Sequence, residues 1–113
     1  MRILLVGGDE MSLDGLSSWL TSRGHEVQID MFGKETLRLL REQEFDFLII
    51  HEYKMFPQFW GVCKQLMQGA KEINPDIITI AICVYAQENK PDHVDYALAM
   101  MDLPKALEAP LSA

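Results

Sequence analysis

Three short stretches of this sequence carry residue types that could do chemistry. Gly7-Gly8-Asp9-Glu10 follows a short apolar run, His51-Glu52 follows another, and Lys105 comes near the end of the chain. If they meet in one pocket, the histidine could take up a proton or a phosphoryl group beside the charges of Asp9 and Lys105. The glycines could hold an anion at the start of a helix. One hypothesis is therefore a pocket at His51 that is pH-sensitive or accepts a phosphoryl group.

Each of these features also has a simpler interpretation. Two glycines allow a tight turn from strand to helix, and Asp9 or Glu10 would then interact with the positive end of that helix. A zinc site would need further ligands, but His25 is predicted at the opposite edge of the sheet and His93 on a distant helix. We therefore expect no metal site, and we favour a His51 that hydrogen-bonds within a cavity.

Composition limits the class of protein. The chain has 113 residues, 49% hydrophobic and 24% charged, which suits one folded domain. A net charge of -7 opposes binding to a phosphate backbone, so nucleic acid is not an expected partner. No apolar run is long enough to span a membrane or to form a secretion signal, so we expect a cytoplasmic protein. Cys63 and Cys83 are predicted to be reduced thiols.

Apolar runs and helical stripes alternate along the chain. The spacing predicts helices within residues 11–22, 37–40, 62–73 and 91–100. It predicts strands at residues 3–6, 27–29, 45–50, 77–84 and 101–103. Five such alternations predict an α/β fold with a doubly wound, five-stranded parallel sheet.

In this order of elements, several segments resemble the receiver domain of two-component signalling. They are Arg2-Ile3-Leu4-Leu5-Val6, Arg23-Gly24-His25-Glu26-Val27, Asp46-Phe47-Leu48-Ile49-Ile50, Asn74-Pro75-Asp76-Ile77 and Leu103-Pro104-Lys105. The resemblance implies a flavodoxin-like sheet of strand order 2-1-3-4-5. It covers residues 1–105 as one domain and leaves residues 106–113 as a short tail.

The resemblance also maps a phosphorylation pocket onto this chain, and most of its positions have changed. The two acidic magnesium ligands fall on Gly7 and Gly8, with Asp9 displaced beyond them, and the phosphoacceptor aspartate falls on His51. The hydroxyl residue that ends strand four falls on Cys83, and Lys105 matches the lysine of strand five. Magnesium needs oxygen ligands, which glycine and histidine do not supply. The resemblance therefore implies a pseudo-receiver with no cofactor and no enzymatic activity.

Apolar residues near this pocket form a possible partner surface. The segment after His51 is rich in large apolar side chains, which either plug the pocket or contact a partner. Two methionines near strand five lie where receivers commonly dimerise or bind targets. The full set is Met55, Phe56, Phe59, Trp60, Met100 and Met101.

After Lys105 the eight residues 106–113 include Pro110, so the last helix of a receiver is predicted to be truncated or absent. An uncovered sheet face would be costly. We therefore expect a homodimer, or another protein docked across strand five and the end of helix four.

Three functions are compatible with these expectations. The preferred one is a non-enzymatic interaction module of phosphorelay signalling, whose partner is a signalling protein such as a histidine kinase or another regulator. The alternative is a regulator that is still phosphorylated, on His51 or Asp9. A third reading is a small-molecule sensor that uses the vacated pocket.

Overall fold

A computed structural model describes residues 1–51, 59–82, 92–98, 102–105 and 107 of the chain. Strands and helices alternate along it in the order β1 (Arg2–Gly7), α1 (Glu10–Ser22), β2 (Glu26–Met31), α2 (Thr36–Glu42), β3 (Phe47–His51), α3 (Phe59–Ile73), β4 (Ile78–Ile82) and β5 (Tyr96–Leu98).

The strands form one parallel sheet in the order β2-β1-β3-β4-β5, which confirms the predicted fold class. β1 and β3 lie inside the sheet with helices on both faces, and this position explains their continuous apolar sequences. Every residue of β3 is buried. β2 is an edge strand and alternates between apolar and polar residues, as its partial exposure requires.

Two apolar layers enclose the sheet. On one face Leu13, Leu16 and Leu20 of α1 pack against Ile3, Leu5 and other sheet residues. On the other face α2 and α3 pack against the opposite side chains of the same strands, with the fully buried Met67 and Ala70 among them. Cys63 is buried in this second layer and forms no disulfide with another described residue. The spacing of three and four residues on α1 is what aligns its leucines with the sheet.

The fifth strand lies elsewhere than the sequence predicted. A helix over residues 91–100 and a strand over residues 101–103 are both wrong, because β5 is Tyr96–Leu98 and His93 sits in a turn before it. The reason is a polar contact just before the strand. Asp95 accepts hydrogen bonds from Thr79 N (2.9 Å) and Lys71 Nζ (2.7 Å), while its own N–H donates to Thr79 O (3.0 Å). This contact fixes the chain beside β4 one residue ahead of Tyr96.

A short helical stretch follows β5 among the described residues. Residues 102–105 and 107 are helical, and Leu103 and Leu107 pack into the layer that contains α1. Leu107 is only 3% exposed although it lies in the predicted tail, so the core extends past Lys105. These leucines cover part of the face that the sequence left bare. The predicted homodimer therefore loses its main physical reason and stays a prediction.

No helix in the part of the chain that the structure describes has both the length and the apolar character needed to cross a membrane.

Candidate functional site

The candidate site lies at the edge where the parallel strands end, which we name the carboxyl edge. Gly7 ends β1 and pairs in register with Met31, the last residue of β2, and with His51, the last residue of β3. His51 in turn pairs with Ile82 at the end of β4. Ligands of open α/β sheets bind at this edge. The structure therefore brings together Gly7 and His51, as the sequence predicted.

His51 is a buried residue, with 8% of its surface exposed. It belongs to a strand whose other residues are all apolar and buried, so its imidazole is held by a rigid part of the sheet. An imidazole in this position can donate and accept hydrogen bonds or carry a proton. It lacks the carboxylate that aspartyl phosphorylation uses.

Gly7 leaves no space for a side chain. A Cβ atom built on it would lie 2.4 Å from the backbone oxygen of His51 and 2.9 Å from Cδ2 of Leu13. Gly8 is half-buried between β1 and α1. The residue to which the resemblance assigns the first acidic magnesium ligand therefore has no room for a side chain.

Asp9 caps its own helix. It is the N-cap residue of α1, and its carboxylate accepts hydrogen bonds from Met11 N (3.2 Å) and Ser12 Oγ (2.9 Å). An N-cap carboxylate of this kind satisfies otherwise unpaired N–H groups and interacts favourably with the helix dipole. The interpretation of Asp9 as a residue that interacts with the start of helix one is confirmed.

Lys105 does not lie at the end of β5. It is exposed on the helical residues that follow, because β5 already ends at Leu98. The predicted match of Lys105 to the strand-five lysine is therefore wrong, for the same reason that moved the strand. Among the described site residues, only Gly7, Gly8, Asp9 and His51 belong to the carboxyl edge.

Several predicted site residues fall outside the described residues: Cys83, Met55, Phe56, Met100 and Met101. Phe59 and Trp60 form the start of α3.

Sequence reasoning missed two exposed apolar residues at the carboxyl edge. Met11, in the first turn of α1, is 85% exposed, and Phe32, directly after β2, is 64% exposed. Phe32 also has a φ of 64°, a left-handed conformation that a bulky residue rarely adopts. Its N–H donates to Gly7 O at 2.8 Å, so it lies directly beside the site. Two features of the sequence could have indicated these exposed residues. Met11 does not share the spacing of the leucines on α1, and Phe32 directly precedes Gly33, a residue type that is common in turns.

A buried carboxylate near this edge is used by the fold. Asp30 of β2 accepts hydrogen bonds from Thr36 Oγ1 (2.6 Å) and from Glu35 N (3.1 Å), and both Asp30 and Thr36 are buried. It thereby holds the start of α2 in place through the N-cap residue Glu35, which provides no side-chain cap of its own, and through the first residue of the helix, Thr36.

The donor set at the carboxyl edge does not suit magnesium. Gly7 and Gly8 supply no side-chain oxygen, Asp9 caps α1 and His51 presents nitrogen, whereas magnesium prefers oxygen ligands. Across the described ranges, no three His, Cys, Asp or Glu residues are grouped closely enough to hold a metal ion.

The structure also has a cleft of about 520 Å³, but it lies at the opposite edge, between the ends of α2 and α3. Its lining includes Arg41, Phe45, Asp46 and Asn74 and none of the predicted site residues. The small-molecule sensor, which needed a pocket at His51, gains no support from this cleft.

Solved receiver domains have the same fold. The receiver domain of sensor histidine kinase PA1611 from Pseudomonas aeruginosa PAO1, with magnesium ion coordinated in its active site cleft, matches with a TM-score of 0.75 and 17% identity, over 99% of this chain and 98% of that one. A CheY-like receiver domain protein from Methanospirillum hungatei JF-1 gives 0.78 and 22%, over 98% and 93%. TrrA from Thermotoga maritima, in complex with Mg²⁺-BeF, gives 0.74 and 20%, over 97% of each chain.

No family model matches the chain, and no curated protein matches it. At these identities the comparison establishes the fold alone: the chain has the fold of response-regulator receiver domains.

Proposed function

We propose that this chain is a receiver-like signalling domain that is not phosphorylated on aspartate and acts by binding a protein partner. The observation that carries the proposal is the pairing of Gly7 with His51 at the carboxyl edge. A receiver needs carboxylates at these strand ends to hold magnesium and to accept the phosphoryl group. Without them, the ends of β1 and β3 supply no carboxylate to hold the magnesium ion that neutralises the charge of the transferred group.

Two described carboxylates near this edge, Asp9 and Asp30, do not replace the missing ones. Asp9 is half-buried and is occupied by Met11 N and Ser12 Oγ. Asp30 is buried and is occupied by Thr36 and Glu35. If Asp30 moved to reach a metal ion it would lose its hydrogen bond with the buried Thr36 hydroxyl, and a buried donor left unpaired costs about 1–3 kcal/mol.

The test is incubation of the purified chain with acetyl phosphate and magnesium, followed by intact-mass measurement under neutral conditions. A phosphorylatable receiver in the same reaction serves as the positive control. We expect an unchanged mass for this chain. A gain of one phosphoryl group would contradict the proposal.

The same measurement decides on the alternative acceptors. If a phosphoryl group appears, His51→Gln and Asp9→Asn identify which residue carries it. Histidine phosphate is lost in acid and aspartyl phosphate in base, so the two chemistries also separate by stability. We expect neither, because His51 is buried and Asp9 serves as a helix cap.

The proposed partner is a signalling protein, such as a histidine kinase or another regulator, that contacts the carboxyl edge. Two exposed apolar side chains, Met11 and Phe32, support this placement. The predicted partner residues 55, 56, 59 and 60 follow His51 in sequence, and residues 100 and 101 follow β5. A homodimer remains a second form that such a contact could take, and light scattering over a concentration series tests it.

A further inference from the structure

The carboxyl end of β1 is closed around Gly7. Real Cβ atoms essentially never lie within 3.0 Å of another heavy atom, and at Gly7 a Cβ would meet His51 O at 2.4 Å and Leu13 Cδ2 at 2.9 Å. The first neighbour is backbone and cannot rotate away. The second belongs to a fully buried leucine in the core layer of α1. Any residue larger than glycine must therefore displace a strand or a packed helix.

β1 has little freedom to make that space. It is paired on both sides along its length, from Arg2 opposite Glu26 to Gly7 opposite Met31, and from Ile3 opposite Phe47 to Gly7 opposite His51. The carbonyl of Gly7 accepts the N–H of Phe32 at 2.8 Å. A shift of Gly7 away from β3 would thus also move Phe32, which is already in a left-handed conformation.

We propose that the backbone around Gly7 leaves no room for a carboxylate at the end of β1, so that replacing side chains cannot restore a magnesium ligand at this position. The inference rests on the proposed function and deepens it. It adds a backbone reason to the side-chain reason why the carboxyl edge does not hold magnesium.

The first test compares alanine at two glycines. Gly7→Ala adds only a Cβ, and we expect it to lower the thermal midpoint by roughly 10 °C, because overpacking against a fixed carbonyl is not relieved by rotamer changes. Gly15→Ala is the matched control, since Gly15 lies on α1 with nothing within 4 Å of its Cβ position. It should raise the midpoint by a few degrees, about the effect of one helical Gly→Ala change. Equal thermal midpoints for wild type and Gly7→Ala would contradict the inference that Gly7 has no room for a side chain.

The second test restores the carboxylates in steps. Gly8→Asp with His51→Asp gives a double variant, and adding Gly7→Asp gives a triple variant. Binding of Mg²⁺ is measured by calorimetry and by the shift in thermal midpoint. We expect the triple variant to be at least as destabilised as Gly7→Ala and to bind Mg²⁺ no more tightly than the double variant. A stable triple variant with tighter binding would overturn the inference. If the triple variant does not fold, the alanine comparison decides.

The two proposals fail in different measurements. Phosphorylation of the wild-type chain defeats the proposed function whatever Gly7 tolerates. If acetyl phosphate leaves the wild-type chain unmodified and Gly7→Ala is as stable as wild type, only the inference about Gly7 is contradicted.

Discussion

The starts and the ends of the parallel strands are built from different kinds of residue. At the starts, which we name the amino edge, charged side chains are joined by hydrogen bonds. The guanidinium of Arg2 donates to Gln43 Oε1 (2.6 Å) and Glu44 O (2.9 Å), and Lys71 donates to Asp95 at 2.7 Å. These contacts join residues far apart in sequence and set the position of each strand.

At the carboxyl edge β1 ends in a glycine and β3 in a buried histidine, and Met11 and Phe32 are exposed beside them. Exposed apolar groups add nothing to the stability of an isolated chain, whereas they do stabilise a complex. The difference teaches that polar contacts at the amino edge maintain the fold, and it supports our proposal that a partner binds at the carboxyl edge.

The largest expected effect tests the amino edge. Asp95→Ala removes the acceptor of Lys71 Nζ and Thr79 N, two donors that are half-buried and buried. Loss of a hydrogen bond to a charged group costs about 1.5–3 kcal/mol, and solvent at the partly exposed Asp95 moderates it. We expect the free energy of unfolding, measured in urea, to fall by about 2–3 kcal/mol.

Asp76→Ala is the control at the same edge. Its N–H donates to Asn74 Oδ1 (3.1 Å), whereas its exposed carboxylate accepts no hydrogen bond from the described residues. The change should be within about 0.5 kcal/mol of wild type. Equal losses for the two variants would mean that Asp95 does not hold β5 in place.

The next effect, of opposite sign, tests the carboxyl edge. Phe32 has a φ of 64° and is 64% exposed. Its left-handed backbone is therefore strained, and burial of its side chain does not compensate for this strain. Asparagine tolerates this conformation better, and Phe32→Asn should raise the free energy of unfolding by about 1 kcal/mol. Phe32→Leu keeps an apolar side chain and requires the same left-handed backbone. Its free energy of unfolding should therefore stay near that of wild type. A loss of stability in the asparagine variant would mean that Phe32 serves the fold.

The sequence predicted the parts of the molecule that depend on local pattern. The apolar runs of β1 and β3 specify buried strands, and the leucines of α1 specify its packed face. Asp9 directly before a helix specifies its cap. These features are set by residues a few positions apart, so their spacing in the sequence is sufficient.

The parts that the sequence did not predict depend on contacts between distant residues. β5 has only three residues, and its position is set by Asp95 and Thr79, sixteen residues apart. The closure at Gly7 comes from the carbonyl of His51 on the neighbouring strand. The conformation of Phe32 accompanies its bond to Gly7 O. No local pattern encodes these contacts, and misplacing β5 was enough to misplace Lys105.

The smallest expected effect concerns pH at the amino edge. Burial, the positive N-terminus and the charge of Arg23 together lower the pKa of His25 below its ordinary value of 6.5. Its Nδ1 is buried and has no hydrogen-bond partner among the described residues, so the folded chain favours the neutral ring. Between the lowered pKa and 6.5 the unfolded chain binds more protons, and stability therefore rises with pH across that window. Urea unfolding from pH 5 to pH 8 should show this slope in wild type and a smaller one in His25→Gln, which carries no titrating group. If the free energy of unfolding rises with pH equally in wild type and His25→Gln, the pH dependence of stability belongs to another residue.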